Sequence, residues 1–60
     1  MDLIIYLDKI VYINLSSGFY YTGKVLSADE NSLTLLDKTN SQVSISANQI
    51  LTIREIKNGN

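Results

Sequence analysis

The 60-residue sequence contains no cysteine, histidine, proline or tryptophan. Without cysteine there is no disulfide and no thiolate metal site, and without histidine the usual zinc-binding combinations are excluded as well. At this length a chain buries only about 60% of the surface that its unfolded form exposes, so a lone core is marginal. The remaining route to further burial is association between copies of the chain.

Charge is also scarce. The chain has five Lys or Arg residues and six Asp or Glu residues, which gives a net charge of −1, and the cations are spread along the sequence. Phosphate binding relies on clustered cations, so this balance disfavours it for a single copy. Assembly of several copies would gather one position, such as Lys24 or Arg54, into a ring of positive charge.

Signatures of catalysis and of membrane insertion are missing. There is no nucleophile elbow and no phosphate-binding loop, and the adjacent carboxylates Asp29 and Glu30 should diverge on a turn. We therefore expect no enzymatic activity, no cofactor and no small-molecule substrate. No apolar run approaches the length of a membrane span, and Met1-Asp2 lacks the cationic start of a secretory signal, so we expect a cytoplasmic protein.

The alternation of apolar and polar residues predicts five short strands separated by polar turns, at residues 9–15, 19–28, 32–36, 42–46 and 50–56. Gly18 follows two serines and marks a hairpin turn, where a positive φ is least strained for glycine. Gly23 lies inside the second strand, where glycine is expected if the backbone bends sharply or packs close to another strand, and a bend is favoured over a contact with a ligand.

Two segments are ambiguous. Residues 2–7 fit one or two turns of helix capped by Asp2, or the beginning of a strand, and we expect a strand-like segment or a single turn over one end of the domain. Ile50, Ile53 and Ile56 are three residues apart, as on a helix, but their β-branched side chains and the shortness of the segment favour a strand. Residues 47–49 should form one tight helical turn between the last two strands.

These elements make one all-β domain over residues 1–57, followed by a flexible tail at residues 58–60. A meander of five strands with no long helix closes into a barrel or opens into a small sandwich.

A spaced set of apolar residues, glycines and one acid spans the first three strands: Val11, Ile13, Leu15, Gly18, Gly23, Val25, Asp29, Leu33 and Leu35. This pattern resembles the first motif of the Sm and Lsm family, which includes the Hfq-type proteins. Residues 45–53 correspond to the second motif. There, Ser46-Ala47 occupies the positions at which the family usually has Arg-Gly, and Asn48 stands where the Hfq-type proteins have histidine.

The resemblance implies a strongly bent, five-stranded antiparallel SH3-like or Sm-like barrel with at most a short N-terminal helical turn. It further implies homo-oligomeric rings, hexamers or heptamers, in which the fourth strand of one copy pairs with the fifth strand of the next. In such rings single-stranded RNA is held by the loop after the second strand and the loop before the fifth. Carried over to this sequence, the RNA-binding residues are Asp29, Asn31, Ser46, Ala47 and Asn48.

The polar residues of this set also have a purely structural interpretation, because Asp, Asn and Ser side chains commonly bond to the backbone of their own turn. For Asp29 the anchoring of its own loop is favoured, Ser46 and Asn48 fit turn and cap positions better than contacts with RNA, and for Asn31 the two interpretations are balanced. Tyr12 and Tyr20 should lie on outward faces, where they either stack on bases or pack at a seam between subunits.

The leading hypothesis is an Sm-like ring that binds U-rich or A-rich single-stranded RNA through its pore-lining loops. An alternative is a homo-oligomeric structural or protein-interaction module on the same fold without RNA binding, which the missing Arg-Gly and the acidic balance support. A third, less favoured, is a monomeric SH3-like adaptor.

Overall fold

The computed structural model describes residues 2–57, which form five strands and two short 3-10 helices. In chain order the elements are η1 (Leu3–Tyr6), β1 (Ile10–Leu15), β2 (Tyr20–Ala28), β3 (Ser32–Asp37), β4 (Gln42–Ser46), η2 (Ala47–Gln49) and β5 (Ile50–Glu55). The strands form one antiparallel sheet in the order β4-β3-β2-β1-β5, so β4 and β5 are its edges. The predicted all-β class is confirmed. The predicted tail at residues 58–60 lies outside the described residues.

The five predicted strands are present, with ends that differ by at most one residue. β2 begins at Tyr20 and not at Phe19, because the Phe19 carbonyl accepts a hydrogen bond from the Leu15 N–H at 2.8 Å and so closes the hairpin turn. β3 extends to Asp37, which is paired with Gly23 of β2. At the other sites, β1 begins one residue later and β5 ends one residue earlier than predicted.

The core is made entirely of apolar side chains from one face of the sheet and from η1. Its members are Leu3, Val11, Ile13, Val25, Leu33, Leu35, Ile45 and Ile50, none more than 9% exposed. Among the described residues no polar or charged side chain is buried. Burying side chains of this size stabilises a fold by about 1.5–3 kcal/mol each, so these eight provide most of the hydrophobic stabilisation of the sheet.

The N-terminal segment forms a single 3-10 turn. The Asp2 carboxylate accepts a hydrogen bond from the Ile4 N–H at 3.0 Å, which caps η1, and Leu3 is fully buried. The single-turn alternative is thus confirmed, and the extended-strand alternative is wrong. Within residues 2–57, no helix reaches the length and apolar character that crossing a bilayer takes.

The two glycines within residues 2–57 are required for different structural reasons. Gly18 has φ +99° with open space around it, which confirms the predicted turn. Gly23 faces β3 at close range: a Cβ built on Gly23 would lie 2.8 Å from the carbonyl carbon of Leu36 and would overlap its oxygen. A side chain at position 23 therefore cannot be accommodated without moving the β3 backbone.

Two β-bulges interrupt the sheet, and each is centred on a leucine. In β2 the partners of Val25 and Ser27 are consecutive residues of β3, so Leu26 is the extra residue. In β5 the partners of Ile50 and Thr52 are consecutive residues of β1, so Leu51 is the extra residue. A bulge bends its strand and increases the local twist.

We predict that Gly23→Ala destabilises the fold by about 3 kcal/mol, because the added methyl overlaps main-chain atoms, which cannot rotate away. Gly18→Ala should lower the stability by only about 1 kcal/mol, since there the penalty is confined to the backbone conformation. Urea unfolding followed by circular dichroism at one fixed protein concentration measures both. A Gly23→Ala variant as stable as the parent protein would contradict the close packing of β2 on β3.

Candidate functional site

The loop between β2 and β3 and the turn η2 lie against each other. They are brought together by the β3–β4 ladder, in which Ser32, the first residue of β3, is paired with Ser46, the last residue of β4. The Ala47 N–H then donates to the Asn31 carbonyl at 2.7 Å. A main-chain hydrogen bond therefore fixes the distance between these two segments.

An open depression of about 450 Å³ lies between the loop and η2. It is lined by Glu30, Asn31, Ser46, Ala47 and Asn48. Four of the five residues that the family resemblance assigned to RNA binding thus meet at one place. The fifth, Asp29, does not line the depression.

Asp29 anchors the loop instead. Its Oδ1 accepts hydrogen bonds from the Asn31 N–H at 2.7 Å and the Ser32 N–H at 2.9 Å. These bonds, led by that from Asn31, lower the pKa of the Asp29 carboxyl below its ordinary value of 3.8, because they stabilise the ionised form. The Asp29 N–H also donates to the Ser32 carbonyl at 2.9 Å, so the turn is held from both ends.

The η2 turn is held by Gln49. Its side-chain oxygen accepts from the Ser46 N–H at 3.4 Å, and its carbonyl accepts from the Ser16 N–H at 2.9 Å. The second bond ties η2 to the turn that precedes Gly18 in the β1–β2 hairpin. The position of Asn48 between Ala47 and Gln49 is consequently set by contacts on both sides of it.

Glu30 is the lining residue that the sequence interpretation missed. The sequence interpretation treats Glu30 only as a carboxylate beside Asp29. In the structure Asp29 bonds to the loop backbone, whereas Glu30 lines the depression. A usable signal is present in the sequence, because Glu30 is the middle residue of a three-residue turn whose other two members are both assigned to the site.

The outer face of β1, β2 and β5 carries an aromatic and cationic cluster. The rings of Tyr12 and Tyr20 lie 5.6 Å apart between centroids, and the Arg54 guanidinium carbon lies 5.1 Å from the centroid of Tyr12. Tyr20 is 63% exposed. Arg54 is the direct cross-strand partner of Tyr12, a pairing that depends on the register between β1 and β5.

The β3–β4 turn is anchored in the same way as the β2–β3 loop. Oδ1 of Asp37 accepts from the hydroxyl of Thr39 at 2.7 Å, from the Thr39 N–H at 2.8 Å and from the Ser41 N–H at 3.1 Å. These bonds lower the pKa of the Asp37 carboxyl below its ordinary value of 3.8, because they stabilise the ionised form. The bond from the Thr39 hydroxyl has the largest effect. Asn40 adopts a positive φ of 65° in this turn, a conformation that Asn tolerates well.

Within the described part of the chain, no group of three or more His, Cys, Asp or Glu side chains is arranged to bind a metal ion. Comparison of the chain with protein-family models, with curated proteins and with solved structures finds no match.

We predict that acid destabilises the protein through Asp29 and Asp37. Both carboxyls have a folded-state pKa below the ordinary value of 3.8, so their contribution is complete above that pH and is lost as the pH falls through the folded-state pKa. Replacing both by Asn removes the titration while keeping an acceptor oxygen. The unfolding free energy of this double variant, measured between about pH 5 and about pH 2, should decline less than that of the parent protein.

A matched control is Asp8→Asn, which removes one exposed carboxyl that is not bonded to a turn among the described residues. Its acid profile should follow that of the parent protein. Parallel profiles for the parent and the double variant would show that these two turns do not contribute to acid sensitivity.

Proposed function

We propose that the protein is an Sm-like, ring-forming homo-oligomer that binds single-stranded RNA through the depression between the β2–β3 loop and η2. The observation that carries the proposal is the meeting of these two segments, joined by the Ala47–Asn31 hydrogen bond of 2.7 Å. The sequence motif assigns base contacts to the same two segments. Residues separated by 15 positions or more in the sequence, at 30–31 and 46–48, thus share one concave surface.

The proposal includes closure of the sheet into a strongly bent barrel. Three features support it: the bulge at Leu26, the bulge at Leu51 and the close packing of Gly23 on β3. Bulges and glycines at such positions are the devices by which small sheets turn corners. The η2 turn between β4 and β5 would then bridge the two edge strands at one end of the barrel.

Ring formation would use the two edges of the sheet. β4 and β5 each pair with one neighbour within the described chain, β4 with β3 and β5 with β1, so each has one side available for another strand. Edge strands of five and six residues invite pairing with another chain, and a closed ring pairs every edge without growing into a filament. The small size of the core gives the same chain a reason to associate.

RNA binding would rest on base edges more than on phosphates. Asn31 and Asn48 each offer an amide with donors and an acceptor, which suits the edge of an unpaired base, whereas no Lys or Arg of residues 2–57 lines the depression. Repetition around a ring would convert weak contacts at each copy into useful overall affinity. The Tyr12–Arg54 cluster on the outer face would then pack at a subunit seam or stack on flanking bases.

A second candidate function is a protein-interaction module on the same ring. Large apolar side chains remain exposed away from the depression, among them Ile5 at 63%, Phe19 at 70% and Leu51 at 67%. In this proposal these side chains contribute to contact surfaces for other proteins or for further copies of the chain.

We predict that light scattering gives a particle mass several times the 6.7 kDa of one chain, because the edge strands pair between copies. The mass should persist on dilution into the micromolar range and should be the same with and without RNA. A particle of a single chain mass would contradict the ring and, with it, both candidate functions.

We predict that short fluorescent single-stranded RNA binds at low salt and that Asn31→Ala weakens binding by roughly 3- to 10-fold, the effect of one lost hydrogen bond per site. Fluorescence anisotropy measures the affinity and light scattering confirms that the oligomer mass is unchanged. Ser17→Ala, an exposed polar truncation in the β1–β2 turn, serves as the control and should bind like the parent protein.

The two candidate functions give different results in this assay. Absence of binding by every oligonucleotide at low salt, where phosphate attraction is strongest, would reject RNA binding and leave the interaction module. Loss of both RNA binding and oligomer mass in Asn31→Ala would mean that Asn31 has a structural role and does not contact RNA.

A further inference from the structure

Glu30 lines the depression and belongs to a loop whose backbone is fixed by hydrogen bonds on both sides of it. The Asp29 carboxylate, before it, accepts hydrogen bonds from the N–H groups of Asn31 and Ser32. The Asn31 carbonyl, after it, accepts a hydrogen bond from the Ala47 N–H. Glu30 therefore occupies the tip of a turn held by four main-chain and side-chain hydrogen bonds, counting that from the Asp29 N–H to the Ser32 carbonyl. Within residues 2–57 its own carboxylate has no ion-pair or hydrogen-bond partner.

Among the described residues that line the depression, Glu30 is the one with an acidic side chain, the others being Asn31, Ser46, Ala47 and Asn48. An ionised carboxylate only accepts hydrogen bonds, and it can accept two parallel bonds from a pair of adjacent donors. It also repels phosphate. Among the groups that single-stranded RNA offers, which are neutral bases and anionic phosphates, this surface consequently suits a base with two neighbouring N–H donors.

Among the RNA bases, guanine has such an edge, since its N1–H and its N2 amino group are adjacent donors. Its O6 lies beside them and can accept from an amide N–H, which Asn31 and Asn48 carry. Uracil offers one N–H between two carbonyl oxygens, and those oxygens would face a negative charge. Adenine and cytosine each offer one amino group beside an unprotonated ring nitrogen, an acceptor that the carboxylate disfavours.

We infer that the depression selects guanine in single-stranded RNA and that Glu30 is the residue that determines this preference. The inference rests on the proposed RNA-binding function and adds to it the identity of the base. It also differs from the U-rich or A-rich preference that the sequence resemblance suggested. Each copy of a ring would place one such carboxylate at the same radius, so the preference would apply at every repeated site.

The test uses fluorescence anisotropy on the full chain with short oligo-U and with the same oligomer carrying isolated guanines, spaced so that no guanine run forms. The parent protein should bind the guanine-containing RNA about 10-fold more tightly, the size of effect expected for hydrogen bonds to a charged group. Equal affinity for the two RNAs, or tighter binding of oligo-U, would overturn the inference and leave the proposed function standing. Absence of binding to either RNA would reject both.

Glu30→Gln keeps the shape of the side chain but replaces the charge by an amide. The guanine preference should fall below about 3-fold in this variant, while affinity for oligo-U should rise because a negative charge has been removed. Glu55→Gln is the matched control: it removes the same charge on β5, where Glu55 lies 3.9 Å from Lys9 and outside the depression. It should keep the full preference. A Glu30→Gln variant that also keeps it would overturn the inference.

A second probe leaves the protein unchanged, so it remains decisive should the variant fail to fold. Inosine has the N1–H and O6 of guanine but lacks the N2 amino group. Replacing guanine by inosine in the RNA should weaken binding to the parent protein by roughly 3- to 10-fold, the effect of one lost donor. Unchanged affinity for the inosine RNA would overturn the inference, because it would mean that no acceptor in the depression bonds to the N2 amino group of guanine.

Discussion

The structure depends on a single constraint, which is that one face of a five-stranded sheet has to bury enough apolar surface to stabilise the whole domain. Seven apolar side chains of the sheet do so, and Leu3 of η1, which lies outside the sheet, completes the set of eight. No polar group of the described residues enters this core. Because the core contains only apolar side chains, the polar and charged groups of the described residues lie in the loops, on the outer face and at the edges of the sheet.

The two segments that line the depression are shaped by groups other than those that would contact a ligand. Asp29 and Gln49 bond to the backbone and set the turn geometry. Glu30, Asn31 and Asn48 lie between these anchors with their side chains at the surface. The backbone at these three positions is therefore held by hydrogen bonds of neighbouring residues, and the side chains of Glu30, Asn31 and Asn48 are not needed to set the shape of the two turns.

Much of the fold could be predicted from the sequence because alternation with period two is direct evidence for half-buried strands. The two β-bulges limit prediction from alternation, because each one adds a residue that shifts the period-two pattern. Ile50 and Ile53 both pack at the core although they are three residues apart, because the bulge at Leu51 adds one residue between them, and this spacing is what also suggested a helix. Likewise Ala28 packs against the core three residues after Val25. The motif names four of the five residues that line the depression, whereas contacts such as that of Arg54 with Tyr12 depend on a strand register that no local pattern encodes.

The bulges have a consequence for how the length of the chain can vary. Removing Leu51 would leave Ile50 opposite Leu15 and Thr52 opposite Asn14, so the flanking partners of β5 would be retained while its bend would be reduced. Removing a residue elsewhere in the same strand would turn its inward side chains to the outside. The same reasoning applies to Leu26 in β2. Single-residue deletions in relatives of this domain should therefore be concentrated at these two leucines. A domain that lacks one of them would have a more open sheet, and a domain that keeps both would have a more curved one.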